Sequence, residues 1–379
     1  MRTSQVRSVE RRLVQFVENF SEVLGGYHRK KYCVDYLCGL LLEGERKSIE
    51  PMAERLPRGN AQALQQFVSD SPWNYGSLQL ALIVFMEQLL KPTASHSVLI
   101  LDDTSFPKQG KASVGVARQY CGALGKIANC QAMVSWHYAE GDPRQLHLPL
   151  ISQLFLPESW TGDPERLNKA RVPEHYWKFN EKWRIALGLL DRIGDLVPHE
   201  ACIFDAGYGE IREFLRELDQ RGEFFVAQIP ETYGFWPAEV SIRQEQSKVG
   251  RPRKYPEVIS PQAKCLTAKQ WQKELQRQEG YWRPIRLPDQ RRRKIQVAAL
   301  RVREKIRRTH RGVGPERWLL IERYPDGNLK YYVSNLPAST SIRRMIHLAH
   351  SRYRVEQDYQ HLKEELGLDH YEGRSWPGL

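Results

Sequence analysis

The chain of 379 residues carries 57 Lys+Arg against 45 Asp+Glu, a formal charge of +12, with 41% hydrophobic and 10% aromatic residues. At roughly 100–200 residues per domain this length predicts two or three domains, and the apolar content can fill a sizeable core, which excludes wholesale disorder. No run of about 18 apolar residues occurs and no apolar stretch follows the charged N-terminus, so neither an ordinary membrane span nor a secretory signal is expected.

Residues 1–90 read as helical. Val9, Leu13, Phe16 and Phe20 fall on one helical stripe, and Ile49, Met52, Ala53 and Leu56 on a second. The turn Pro57-Arg58-Gly59-Asn60 leads to a third helix with Leu64, Phe67 and Val68, which Asn60 is placed to cap. Two short helices joined by a tight turn resemble a helix-turn-helix, although most such pairs are ordinary bundle elements.

The segment Lys91-Pro92-Thr93-Ala94-Ser95 marks a change of character. Ser97 to Leu101 is a short apolar run, the signature of a buried strand, and it ends in Asp102-Asp103. Gln131 to Tyr138 predicts a second strand, residues 140–143 a hairpin turn, and Gln145 to Phe155 a third strand. Trp183, Ala186, Leu187, Leu190 and Ile193 mark a helix; Ala201 to Phe204 is a fourth strand ending in Asp205. Gly207 and Gly209 form a turn, Ile211, Phe214, Leu215 and Leu218 mark a helix, and Phe224 to Ile229 a fifth strand.

This β-β-β-α-β-α-β order is that of the ribonuclease H-like fold. The first and fourth strands of that fold are neighbours, so Asp102/Asp103 and Asp205 are expected to converge. The expected architecture is α/β: an N-terminal helical DNA-binding domain over 1–95, a ribonuclease H-like catalytic domain over 96–230 and 341–379, and a mainly β, basic insertion over 231–340.

The insertion holds the densest charge. From Arg291 to Arg311 stand Arg291, Arg292, Arg293, Lys294, Arg301, Arg303, Lys305, Arg307, Arg308 and Arg311, with Glu304 alone opposing them. Solvated charge runs usually mix signs, so this one reads as a phosphate-binding surface. Gly250-Arg251-Pro252-Arg253-Lys254 looks like an AT-hook, in which Arg251 and Arg253 would enter a narrow minor groove. Strands are expected at Trp318 to Glu322 and Leu329 to Ser334.

Ser341 to Leu366 reads as one long helix. At about 100° per residue, Glu356 lies about 40° and Lys363 about 20° from Arg352, in the sector of Met345, Leu348, Tyr359 and Leu366. These charges are therefore expected on the inward face, where a charge needs a partner, a metal or a function. Three carboxylates at two strand ends and on this helix suit hard divalent cations. A pair of such ions can clamp an in-line displacement at phosphorus, with Arg352 or Lys363 neutralising phosphate charge.

Three blocks, Leu101 to Tyr120, Phe204 to Gly209 and Arg352 to Trp376, resemble the catalytic blocks of bacterial insertion-sequence DDE transposases, most like insertion-sequence family 701, related to family 4. The last block in that group reads Tyr-x2-Arg-x3-Glu-x6-Lys; Arg352, Glu356 and Lys363 match it, while Ala349 stands in the Tyr position, with Tyr353 and Tyr359 nearby. The resemblance implies a triad of Asp103 (alternatively Asp102), Asp205 and Glu356 holding two Mg²⁺ or Mn²⁺ ions. Asp103 is favoured because a small hydroxyl residue, Thr104, follows it. The resemblance also implies DNA contacts from Lys108, Lys111, Arg118, Gln119 and Tyr208. It further implies binding of terminal inverted repeats, cutting at the element's ends, joining of 3′-hydroxyls to target DNA, and a homodimer on double-stranded DNA. The expected location is cytoplasmic, on the nucleoid, with no membrane association. An inactive or domesticated relative and a purely hydrolytic nuclease of the same fold are the alternatives. A carboxylate-pair glycosidase fits less well, because Arg and Lys beside Glu356 suit phosphates better than neutral sugars.

The six cysteines, Cys33, Cys38, Cys121, Cys130, Cys202 and Cys265, form no CxxC pair, and no histidine pair completes a zinc pattern. They are expected to be reduced thiols in or near the core, as in a cytosolic protein.

Overall fold

The structure, a computed structural model, describes residues 3–91, 93, 95, 97–141, 146–243, 256–278, 280–287, 293–306, 311–371 and 373–378. It is a mixed α/β protein with a large mixed β-sheet. Among the described residues the chain opens with α1 (Thr3–Glu18), α2 (Ser21–Leu24), α3 (Tyr27–Leu41), α4 (Ile49–Arg55), α5 (Ala61–Ser69) and α6 (Tyr75–Leu90). There follow β1 (Ser97–Pro107), β2 (Ala117–Cys121), β3 (Lys126–Glu140), β4 (His147–Leu154), α7 (Glu158–Thr161), α8 (Pro164–Lys169) and α9 (Lys182–Ile193). Next come β5 (Ala201–Phe204), α10 (Ala206–Gly209), α11 (Arg212–Gln220), β6 (Phe225–Ile229), β7 (Gly234–Pro237), β8 (Ile242–Arg243), β9 (Glu257–Val258) and β10 (Leu266–Thr267). The last elements are α12 (Ala268–Gln276), β11 (Arg283–Arg286), β12 (Lys294–Lys305), β13 (Val313–Arg323), β14 (Leu329–Ser334), α13 (Ile342–His350) and α14 (Tyr353–Glu364). No described helix is long and apolar enough to cross a membrane.

The chain divides into two compact units, one of residues 1–96, 101–198 and 354–379, the other of residues 97–100 and 199–353. In the first unit the N-terminal helices share a core of Val17, Phe20, Leu24 and Phe67, with Phe16 and Phe85 packed against it edge-on. Burying each such side chain contributes about 1.5–3 kcal/mol. The Asn60 carboxamide accepts from Ala63 N at 3.0 Å and so caps α5, as its sequence position predicts.

In the same unit β3 is the long central strand. Its first part pairs antiparallel with β2 and its second part with β4. Strand β2 escaped the sequence reading because Ala-Arg-Gln-Tyr-Cys lacks an apolar run; its exposure alternates along an edge strand, and the ladder with β3 rather than burial defines it. A second core of Val114, Val116, Leu154, Leu156, Trp160, Leu167 and Trp376 covers this sheet.

The second unit carries the strand order β10-β7-β12-β13-β14-β6-β5, with the first residues of β1 beside β5. Glu200 N donates to Ser97 O at 2.8 Å at that junction. The β5–β6 pair is parallel and the pairs from β6 outward are antiparallel. The strands expected at 318–322 and 329–334 are the middle of β13 and β14. Phe204, Phe214 and Phe225 pack with ring centroids 5.1 and 5.9 Å apart beneath β5 and β6.

One expectation fails. The helix predicted over 341–366 is two, α13 and α14, separated at Ser351-Arg352. The Ser351 hydroxyl donates to Leu348 O at 2.6 Å and its amide to the same carbonyl at 3.0 Å, so local bonding replaces the helical ladder there. Because the break resets the helical phase, Val355, Asp358 and Tyr359 form the buried face of α14, and Glu356 is exposed.

Candidate active site

In the first unit β1 delivers Asp102 and Asp103 just past its fully buried stretch Ser97–Leu101. Asp102 Oδ1 accepts from Asp103 N at 2.9 Å. Asp103 Oδ2 lies 2.5 Å from Lys182 Nζ, so a cation already sits beside that carboxylate. The helix that bears Glu356 is tied to the same strand within this unit. The Tyr359 hydroxyl donates to Asp102 O at 3.5 Å, and Lys363 Nζ donates to Ser105 O at 3.3 Å. Lys363 also lies over the rings of Phe106 and Tyr359, at 5.6 and 5.9 Å. Burial pushes its ammonium pKa down, with Asp369 and Cys121 opposing that shift.

Asp358 is held between two histidines. Its Oδ2 lies 2.7 Å from His137 Nδ1 and its Oδ1 2.5 Å from His147 Nδ1. His137 Nε2 in turn meets Ser135 Oγ at 2.8 Å, which lies 2.5 Å from the Tyr359 hydroxyl. Sequence reading named Glu356 as the inward acid and missed Asp358. The signal present was the alternation of Ser135 and His137 on one face of β3.

In the second unit Asp205 follows β5 and caps α10. Its Oδ1 accepts from Gly207 N at 3.0 Å and Tyr208 N at 3.3 Å. The turn packs so closely on β6 that a Cβ at Gly209 would lie 1.9 Å from Gln228 O. Tyr208, expected at DNA, is buried and packs on Phe214 at 5.7 Å; its ring serves the turn's own packing. Arg352 lies in the break before α14, half-buried, and its charge lowers the Tyr332 phenol pKa against the dominant upward effect of burial.

The expected DNA-contacting residues divide. Lys111 and Arg118 are exposed and line a cavity of 410 Å³ in the first unit with Gln109, Asn129 and Arg166. Arg166, which sequence reading missed, stacks 3.6 Å over the Trp160 ring. Lys108 instead turns inward, donating to the carbonyls of Asp369 and Tyr371. Gln119 donates to Cys130 O at 3.0 Å. Tyr359 is buried with its hydroxyl on Ser135, whereas Tyr353 is exposed.

Among the described residues of the basic run, three arginines find acidic partners outside it. Arg293 meets Asp326 at 3.6 Å; Arg301 and Arg303 meet Glu316 of the neighbouring strand at 2.8 and 3.6 Å. Arg311 donates to the carbonyls of Val258 and Ser260. Arg251, Arg253, Arg291, Arg292, Arg307 and Arg308 lie outside the described residues.

The DDE superfamily endonuclease family matches residues 19–294, a span that includes Asp102, Asp103 and Asp205 and stops short of Glu356. A probable transposase for insertion sequence element IS701 from Microchaete diplosiphon is 26% identical over 193 residues. That match takes in 50% of this chain, and the chain spans 46% of the relative's length. Two solved structures are distantly similar. A piggyBac transposase synaptic complex with hairpin DNA shows 9% identity at TM-score 0.35, over 87% of this chain and 58% of that one. The NurA nuclease from Sulfolobus solfataricus shows 10% identity at TM-score 0.27, over 78% and 94%. Likenesses that remote carry no argument about fold or function. The family match, over well more than half of the chain, is sufficient on its own: this chain belongs to the DDE superfamily endonucleases.

Proposed function

We propose that this protein is a DNA transposase that binds the terminal inverted repeats of a mobile element, cuts at its ends and joins the 3′-hydroxyls to target DNA. The observation that carries the reading is the attachment of α14 to β1: Tyr359 and Lys363 fix the helix bearing Glu356 on the strand bearing Asp102 and Asp103. The β2–β3–β4 antiparallel ladder in the first unit and, separately, the parallel β5–β6 pair that leads to Asp205 in the second support a ribonuclease H-like catalytic domain.

Asp103, Asp205 and Glu356 are the proposed ligands for two Mg²⁺ or Mn²⁺ ions. The donor set fits, since all three offer hard carboxylate oxygens and Asp103 already attracts the Lys182 ammonium. The chemistry such ions supply when bound is activation of the attacking oxygen and neutralisation of the leaving one. Glu356 is exposed on α14 rather than inward, which spares it the desolvation cost of a buried charge. Lys363 and Arg352 would offset phosphate charge, while Lys111, Arg118 and Arg166 would hold DNA backbone. The N-terminal helices and the insertion, with Arg251, Arg253, Arg291, Arg292, Arg293, Arg307 and Arg308, are the proposed end-recognition surfaces. Two ends need two active sites, hence a homodimer on DNA. The proposed location is cytoplasmic, on the nucleoid.

The test is metal-dependent nicking of DNA carrying the element's ends. Asp103→Asn, Asp205→Asn and Glu356→Gln should each abolish cleavage in Mg²⁺ or Mn²⁺ and leave end binding intact. Cleavage retained in any one removes that residue from the triad, and loss in Asp102→Asn alone would move the first acid to Asp102. Cleavage without joining of a pre-nicked end to plasmid DNA would identify a hydrolytic nuclease. No cleavage by the unaltered protein would identify a DNA-binding relative without enzymatic activity.

A further inference from the structure

A second set of ligand-type side chains converges in the second unit, apart in residue type from the three carboxylates. His199 precedes β5, Cys202 lies within it, and Glu223 sits in the turn before β6. Glu223 Oε2 is 2.8 Å from His199 Nε2, and Cys202 Sγ is 3.9 Å from both atoms. Among the described residues this is the one group of three or more His, Cys, Asp or Glu side chains whose ligand atoms all fall within 4.8 Å of one another.

The backbone around these atoms is fixed. Cys202 N donates to Phe224 O at 2.7 Å, β5 and β6 pair in register at Cys202 and Phe225, and Asn335 Nδ2 donates to Glu223 O at 2.8 Å. The side chains of His199 and Glu223 are 6% and 18% exposed, so Glu223 provides the route from solvent to a buried thiol.

From this we infer that His199, Cys202 and Glu223 form a binding site for a divalent cation of the zinc class. With Zn–S near 2.3 Å and Zn–N or Zn–O near 2.0–2.1 Å, a tetrahedral centre has ligand–ligand edges of roughly 3.3–3.6 Å. Reaching it opens the His–Glu contact by about half an ångström and closes each sulfur contact by about a third, within side-chain torsion alone.

The charges agree. Without a cation, burial raises the Cys202 thiol pKa, and the Glu223 carboxylate beside it adds to that shift. A divalent cation displaces the thiol proton to solvent, and thiolate plus carboxylate balance its two charges. Thiolate and imidazole select zinc-like ions, whereas carboxylates alone suit Mg²⁺. Bound there, the ion would join the start of β5 to the α11–β6 turn and so brace the strand that leads to Asp205.

The test is a titration of the metal-free 379-residue chain with Co²⁺. The expected result is a near-ultraviolet sulfur-to-cobalt charge-transfer band with intense visible bands of a four-coordinate site, lost on adding one equivalent of Zn²⁺ and indifferent to excess Mg²⁺. Cys202→Ser should remove the charge-transfer band. Glu223→Gln, which keeps a partner for His199 and hence the fold, should weaken Zn²⁺ binding by roughly tenfold or more. The triple variant Asp103→Asn/Asp205→Asn/Glu356→Gln should retain the band unchanged. Absence of the band in the unaltered chain, or its persistence in Cys202→Ser, overturns the inference. If Cys202→Ser does not fold, unchanged Zn²⁺ affinity in Glu223→Gln overturns it equally.

Discussion

Asp358 shows how one buried acid organises its surroundings. At 5% exposure it is bonded to two histidines, and the chain runs on from them to Ser135 and Tyr359. Ser135 Oγ bridges the Tyr359 hydroxyl and His137 Nε2, while His137 Nδ1 faces the Asp358 carboxylate, so one ring nitrogen is held by a hydroxyl and the other by an acid. Burial lowers the His137 pKa, against the raising effect of Asp358. Since the folded value lies below that of the unfolded chain, the unfolded state binds more protons in between, and stability is lost as pH falls below about 6.5. In urea unfolding, His137→Asn should therefore cost more at about pH 7.5 than at about pH 5.5 relative to the unaltered protein. A difference that stays constant across that window would disprove a neutral His137. Asp358→Ala removes two charge-assisted hydrogen bonds and should destabilise by about 3 kcal/mol. A shift of the urea midpoint no larger than that of an exposed control, Glu364→Ala, would show that the network does not hold α14.

Turns decide the elements. Gly59, between α4 and α5, is placed so that an added Cβ would lie 1.7 Å from Ala53 O. Gly59→Ala must displace backbone, whereas Asn60→Ala only deletes a cap and should cost about 1 kcal/mol. Thermal unfolding and end binding should separate the two: Gly59→Ala impairs both strongly, Asn60→Ala lowers stability modestly. Equal effects would mean the turn relaxes around a side chain. The Pro57–Asn60 turn and its cap were legible in sequence because each residue type has a local reason to be there. The break at Ser351-Arg352 was not, because Ser351 becomes a stop only when its hydroxyl finds Leu348 O. Carrying the stripe of Met345 and Leu348 across it put Glu356 inside, whereas the structure exposes Glu356 and buries Asp358. The His199-Cys202-Glu223 group was equally invisible, since Glu223 reaches the other two only once β5 and β6 pair side by side.

At the scale of the whole molecule, the charge of +12 separates into paired and presented cations. The count along the chain cannot distinguish them, because the partner of Arg301 and Arg303 is Glu316, across the β12–β13 ladder. Arg317 is likewise held by Asp219 and Glu304. Lys111 and Arg118 stand exposed at a cavity rim with Arg166. Cations that release counterions from DNA set the slope of log affinity against log salt, about 0.9 per phosphate contact on duplex DNA. Lys111→Gln with Arg118→Gln should therefore weaken end binding and flatten that slope by up to about 1.8. Arg301→Gln with Arg303→Gln should leave the slope nearly unchanged, since those guanidiniums answer to Glu316. Both double variants remove the same formal charge, so net charge alone predicts equal flattening. Equal slopes, measured by anisotropy over a salt series on one end-bearing duplex, would mean that the protein meets DNA as a diffuse cation, and unequal slopes in the stated order would place the contact at the β2–β3 edge.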